Sequence, residues 1–196
     1  GPPTADIAAV LAALGLDGRP ADMRTTQAVS AGGQSRLVEA YDVEFARHGV
    51  VGAQLLVDSM DFVERQQYLH LRSTLERLLE LGCVPIVNEN DAIANDELRY
   101  GDNDRIAAMI ANSIGADVLV LLPATAGVFT ADPRRDASAT LVPFVRVDDP
   151  LLASDADAGG SGRGSGGMAS KLTSARMASW SGIRSVIARA ARPGVL

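Results

Sequence analysis

Apolar positions along this chain change period several times, and each change marks an element. Residues Ala5–Leu14 are rich in Ala and Leu and predict a helix. A longer helical pattern runs from about Met23 to His48, with a break expected at Gly32-Gly33, where paired glycines weaken a helix by about 1 kcal/mol each. Val50–Val57 is mostly apolar, as a buried strand is. Phe62–Leu81 gives the clearest amphipathic helix, because Tyr68, Leu71, Leu75, Leu78 and Leu79 recur at spacings of 3 and 4. Gly82 ends it, and Val84–Val87 predicts a short strand.

The same alternation repeats downstream. Ile106, Met109, Ile110 and Ile114 share one face of a helix that stops at Gly115. Val118–Leu122 predicts a strand buried on both sides, and Val142–Val147 predicts an edge strand. A glycine-rich loop, Gly159–Gly167, leads into a helix from about Met168 to Trp180, followed by a last strand at Ser185–Ala188. Strand and helix in turn predict an α/β fold, a mostly parallel sheet sandwiched by helices, with right-handed crossovers. Ligands of such sheets bind beyond the carboxyl ends of the strands, and the unusual loops here sit at such ends. No repeat and no interdomain linker is visible, so residues 1–196 are read as a single domain.

Composition narrows the function. The chain has 18 basic and 24 acidic residues, a net charge of −6, and so lacks the basic field that holds a nucleic-acid backbone. Its apolar runs, such as Val118–Leu122, are far too short for a membrane span, and no secretory signal opens it; a cytoplasmic protein is expected. One cysteine, Cys83, excludes an internal disulfide and reads as a small buried hydrophobe. Two histidines, His48 and His70, read as helical surface residues and leave little for a zinc site or a histidine triad; no metal site is expected. Of the basic residues 17 are arginine, so Lys171 is the only side-chain ammonium. The opening Gly1-Pro2-Pro3, without Met, reads as a fragment boundary, a cleavage scar or a processed end.

Three stretches can carry chemistry. In Gly159–Lys171, glycines allow close approach to an anion, amides at the start of the following helix point at it, and Lys171 in the first turn adds a point charge. The spacing is not that of a Walker A loop, and a flexible Gly/Ser linker is the other reading of this composition. Val84–Asp91 is a strand ending in a polar burst, continued through Asn95–Glu97 to Gly101–Asp104. Its amides and carboxylates can orient a small polar substrate, or they cap a helix at Asp102 or Asn103 and shape a turn at Asp91. The spacing excludes an EF-hand. Gly127–Arg134 contains Asp132-Pro133 and reads as a surface turn with a small aromatic anchor.

Together these stretches resemble the glutamate 5-kinases of the amino acid kinase family. Val84–Asp91 is similar to that family's substrate strand, and Gly101–Asp104 to its Gly-Asp-Asn-Asp segment. Phe129–Arg134 resembles its Tyr-Thr-Ala-Asp-Pro-Arg loop, and Gly162–Lys171 its Gly-x-Gly-Thr-Gly-Gly-Met-x-x-Lys loop. Gly33–Leu37 and Arg192–Leu196 also match, so the resemblance runs in order from about Gln27 to Leu196. It implies a three-layer αβα kinase fold, incomplete at both ends and without an accessory C-terminal domain.

The resemblance further implies ATP and Mg2+ as cofactors and L-glutamate as substrate, phosphorylated on its side chain to glutamyl 5-phosphate as the first step of proline biosynthesis. It puts Lys171 in the catalytic role, Asp91 and Asn103 on glutamate, and Ser165, Gly166, Gly167, Met168, Ala169, Ser170 and Lys171 on the nucleotide. A cytoplasmic homo-oligomer inhibited by proline is also implied, with no nucleic-acid or membrane partner.

The pattern departs from the family in three places. An earlier strand with its lysine is not in this sequence, and Asp6 falls near the family's Ser-Gly-Ala turn. Pro123-Ala124 stands where the family has Thr-Asp, and the sequence stops before the family's last elements. A truncated member accounts for the ends. A degenerate member that binds glutamate, proline or a partner subunit without turnover accounts for Pro123-Ala124 and Asp6.

Overall fold

The computed structural model describes residues 11–12, 15–16, 18, 20, 22–93, 103–149 and 166–196. They fall into two compact units, Gly1–Gly101 and Asp102–Leu196. The helix expected at Ala5–Leu14 lies outside the described residues except for Leu11 and Ala12, which are helical.

In the first unit, α1 (Met23–Ala46) begins where the Asp22 carboxylate accepts from the Thr25 amide at 2.9 Å. The helix runs unbroken through Gly32-Gly33, against expectation. Ser35 Oγ donates back to the Gly32 carbonyl at 3.3 Å, and Gln34 accepts from Gln54 of the adjoining strand at 2.9 Å, so tertiary contact overrides propensity. Gly49, with φ 65°, turns the chain out, and the Val50 amide reaches back to the Phe45 carbonyl.

Strand β1 (Val51–Val57) lies parallel to β2 (Cys83–Glu89), in register from Val51 opposite Cys83 to Val57 opposite Glu89. Between them the predicted single helix is two, α2 (Met60–Val63) and α3 (Arg65–Glu80). The break falls at Glu64, whose backbone is extended and whose carboxylate accepts the Gln66 and Gln67 amides, so it caps α3. Leu71 and Leu75 of α3 are buried as the periodicity requires, whereas Leu79 is exposed. Cys83 is half-buried rather than buried, and His48 and His70 are exposed.

The second unit is built from α4 (Asn103–Ile114), β3 (Val118–Leu121), α5 (Gly166–Ser179) and β4 (Arg184–Ile187). Strands β3 and β4 are parallel, with Val118 opposite Arg184. Ala108 and Ala111 of α4, Ala178 of α5, and Leu119, Leu121 and Ile183 form its core. Both helices end on a glycine in the left-handed region, Gly115 (φ 63°) and Gly182 (φ 77°). Strand β3 buries one face only, since Val118 remains 47% exposed. Val142–Val147 is not a strand: Pro143 removes a ladder donor, and the pairing nearby is a single bridge between Phe129 and Leu141.

Candidate active site

Each of α4 and α5 passes through a short turn into the strand after it, and those strands are parallel. Both helix N-termini therefore stand at the carboxyl end of the β3–β4 sheet, where parallel sheets bind ligands. Asp104 is the second residue of α4, and Lys171 lies in the second turn of α5 because that helix starts at Gly166, two residues earlier than expected. The alanine seam between the helices lets them approach closely enough for the two side chains to meet. Lys171 Nζ donates to Asp104 Oδ2 at 2.6 Å. The side chains are 16% and 19% exposed, so the pair is shielded from most of the solvent that weakens surface ion pairs. Ser170 Oγ sits 3.5 Å from the same oxygen, at the limit of a hydrogen bond.

The pairing has an electrostatic logic. A cation near a helix N-terminus opposes the helix dipole, whereas an aspartate in a first turn is favoured by it. Asp104 therefore holds Lys171 where the dipole alone would repel it. An ammonium so placed, next to helix amides, is suited to phosphate oxygens.

The glycines that open α5 fit the same use. Gly167 is exposed, and a Cβ there would meet no atom within 4 Å, so internal packing does not require glycine at this point. What it supplies is bare backbone. Met168 packs against Val128 and Leu172, which leaves its backbone for a ligand, while Ala169 and Ser170 are half-buried. Ser165 lies outside the described residues.

Asn103, the first residue of α4, is exposed and shares this end with Lys171. Asp91 belongs to the first unit. There the Asn90 amide donates to the Val57 carbonyl at 2.7 Å, carrying the ladder one rung past β2, and Asp91 follows in a turn, half-buried. Glu89, the last residue of β2, is 5% exposed. Asp58, just past β1, accepts from the Met60 amide, and its own amide donates to Asp61, both at 2.7 Å. The carboxyl end of β1 and β2 thus gathers carboxylates, a chemistry suited to an ammonium group.

The Gly127–Arg134 stretch is the turn its sequence predicts. The Asp132 carboxylate accepts from the Arg134 amide at 3.0 Å and from its guanidinium at 3.1 and 2.9 Å, which lowers its pKa to about 2. Thr130 and Thr140 close the loop, with two bonds of 3.0 Å. At Pro123, where a polar side chain was the family's pattern, the backbone carbonyl takes the Ala190 amide at 2.9 Å. An apolar groove between α5, β4 and residues 141–147 is lined also by Gly127 and Val128, and none of its lining residues is an acid.

Sequence reasoning missed two residues. Asp104 was read within its polar cluster, but its partner lies 67 residues away, and no local pattern carries that pairing. Asp58 had a usable signal, as the first polar residue after a strand.

Parallel strands with helices packed against them, and helix N-termini standing at the carboxyl ends of the strands, define an α/β fold of the kind that binds ligands at those ends. The chain belongs to the amino acid kinase family, whose model matches residues 3–189. It is 49% identical over 183 residues to the glutamate 5-kinase of Myxococcus xanthus, an alignment covering 93% of this chain and 48% of that protein. Glutamate 5-kinases of Pseudomonas savastanoi pv. phaseolicola and Azoarcus sp. are 48% and 47% identical, each covered to 49% by alignments spanning 92% and 93% of this chain. The chain spans about half the length of these curated relatives.

Proposed function

We propose that this chain carries the phosphoryl-transfer chemistry of a glutamate 5-kinase: ATP and L-glutamate give ADP and glutamyl 5-phosphate, at the entry to proline biosynthesis. The supporting observation is the only lysine of the chain, held at 2.6 Å by Asp104 beside the glycine-opened end of α5, in a sequence 49% identical to a named glutamate 5-kinase.

The residues divide the work. The glutamate side-chain carboxylate is ionised at neutral pH and attacks without a general base. Lys171 neutralises charge on the transferring phosphoryl group, and Asp104 positions Lys171. The segment Ser165 through Ser170 cradles the phosphates, with the free amides of the first turn of α5 as its donors, as helix N-termini do. Asp91 takes the substrate's ammonium group and Asn103 orients its polar end. Mg2+ is assigned to the nucleotide as its counterion. No helix among the described residues is long and apolar enough to cross a membrane. A cytoplasmic homo-oligomer restrained by proline completes the proposal.

Hydroxylamine trapping of the acyl phosphate tests it. Hydroxamate formed by this chain from Mg-ATP, and only when glutamate is present, is the expected result. A folded chain that gives no hydroxamate would overturn the assignment.

A further inference from the structure

No acidic residue follows Asp157, whereas six basic ones do. Five arginines elsewhere on this surface are matched locally: Arg47 with Glu44, Arg72 with Glu76, Arg77 with Glu80, Arg134 with Asp132 and Arg146 with Asp148. Arg189 makes no ion pair among the described residues, and it stands where β4 leaves the sheet.

Its place can be fixed from the ladder. The Ala188 amide donates to the Leu121 carbonyl at 3.1 Å and the Ala190 amide to Pro123 at 2.9 Å, so the strand alternation continues past Ile187. Ile187 faces the helices, packing against the core cluster that includes Leu119 and Leu121 and against the cluster of Val128 and Leu172. Arg189, two residues on, projects from that same helix-bearing face. Measured from the turn joining α5 to β4, Lys171 stands about 12 Å up the helix at 1.5 Å per residue. Arg189 stands about 16 Å up the strand at 3.3 Å per residue. The two cations are thus at nearly the same level, on adjoining elements, at the carboxyl end of the sheet.

We propose that Arg189 is a second phosphate-binding cation of this site, meeting the terminal phosphates of the nucleotide across from Lys171. The inference rests on the nucleotide reading above and adds to it a planar, two-pronged donor where Lys171 offers a point charge. Being exposed, Arg189 can swing onto an arriving anion, whereas Lys171 is fixed by Asp104.

Calorimetric titration of the whole chain with Mg-ATP, Mg-ADP and AMP tests it, using the wild type, Arg189→Gln, Arg189→Lys and Arg176→Gln. Arg176, near the far end of α5 over Trp180, is the control. Arg189→Gln is expected to weaken Mg-ATP about tenfold, to flatten the salt dependence of its affinity, and to leave AMP unchanged. Arg189→Lys should recover part of the loss and Arg176→Gln should lose nothing. A wild type that binds Mg-ATP, with Arg189→Gln binding equally well, would sink this inference and leave the kinase reading standing. A wild type that binds no nucleotide would sink both.

Discussion

At the scale of single residues, charge is arranged by short-range partners. Asp132 shows the effect most clearly, because one arginine supplies both guanidinium and amide to its carboxylate. Its pKa falls from the ordinary 3.8 to about 2, so the contact stabilises the folded chain above pH 4 and is lost as pH drops through 2. Arg134→Ala should return the Asp132 carboxyl titration towards 3.8 and move the onset of acid unfolding of this loop to higher pH. A carbon-detected NMR titration of Asp132 reads both; an unmoved midpoint would show that Arg134 is not the cause. That turn was legible in Asp132-Pro133-Arg134. The Lys171–Asp104 bond was not, because sequence patterning reports neighbours along a helix or strand and not across a helix pair.

At the scale of elements, boundaries followed from terminators more than from propensity. Gly82 and Gly115 stop their helices as their positions promised, with φ of 75° and 63° that other residues resist. Glu64, an unremarkable glutamate in an amphipathic run, breaks a helix by capping the next one, and only the three-dimensional course shows it. Val142–Val147 alternates like a strand but forms no ladder among the described residues beyond the Val142 amide, which donates to the Val128 carbonyl at 2.8 Å, since alternation records one-sided packing and not hydrogen bonding.

Packing between elements has its own tight spot at Gly52. A Cβ there would lie 3.0 Å from Phe45 Cδ2 and 3.1 Å from Asp42 Oδ1, so this glycine lets α1 lie close on β1. Gly52→Ala is expected to cost about 1 kcal/mol through that contact, seen as a lowered denaturation midpoint in urea. Unchanged stability would mean that Phe45 turns aside freely.

At the scale of the whole molecule, the two units carry different chemistries. All seven glutamates precede Gly101, and the carboxyl end of β1 and β2 carries Asp58, Glu89 and Asp91, whereas the second unit carries Lys171, Arg189 and Arg192. The first suits an amino group, the second a polyphosphate. Mg-ATP and glutamate should therefore raise the melting temperature through separable sites, each by about 2.7 kcal/mol of added stability at a hundred times its dissociation constant. Lys171→Ala should abolish the nucleotide shift and keep the glutamate shift, and Asp91→Asn should do the reverse. A substitution that erased both shifts in a folded chain would show one site where two are expected.

The solitary lysine also makes the protein chemically addressable. Apart from an α-amine, Lys171 is the only group that an amine-selective acylating reagent can modify, and Asp104 keeps it 16% exposed. The speed of its labelling is then a clock for how often that ion pair opens, read from a single peptide by mass spectrometry.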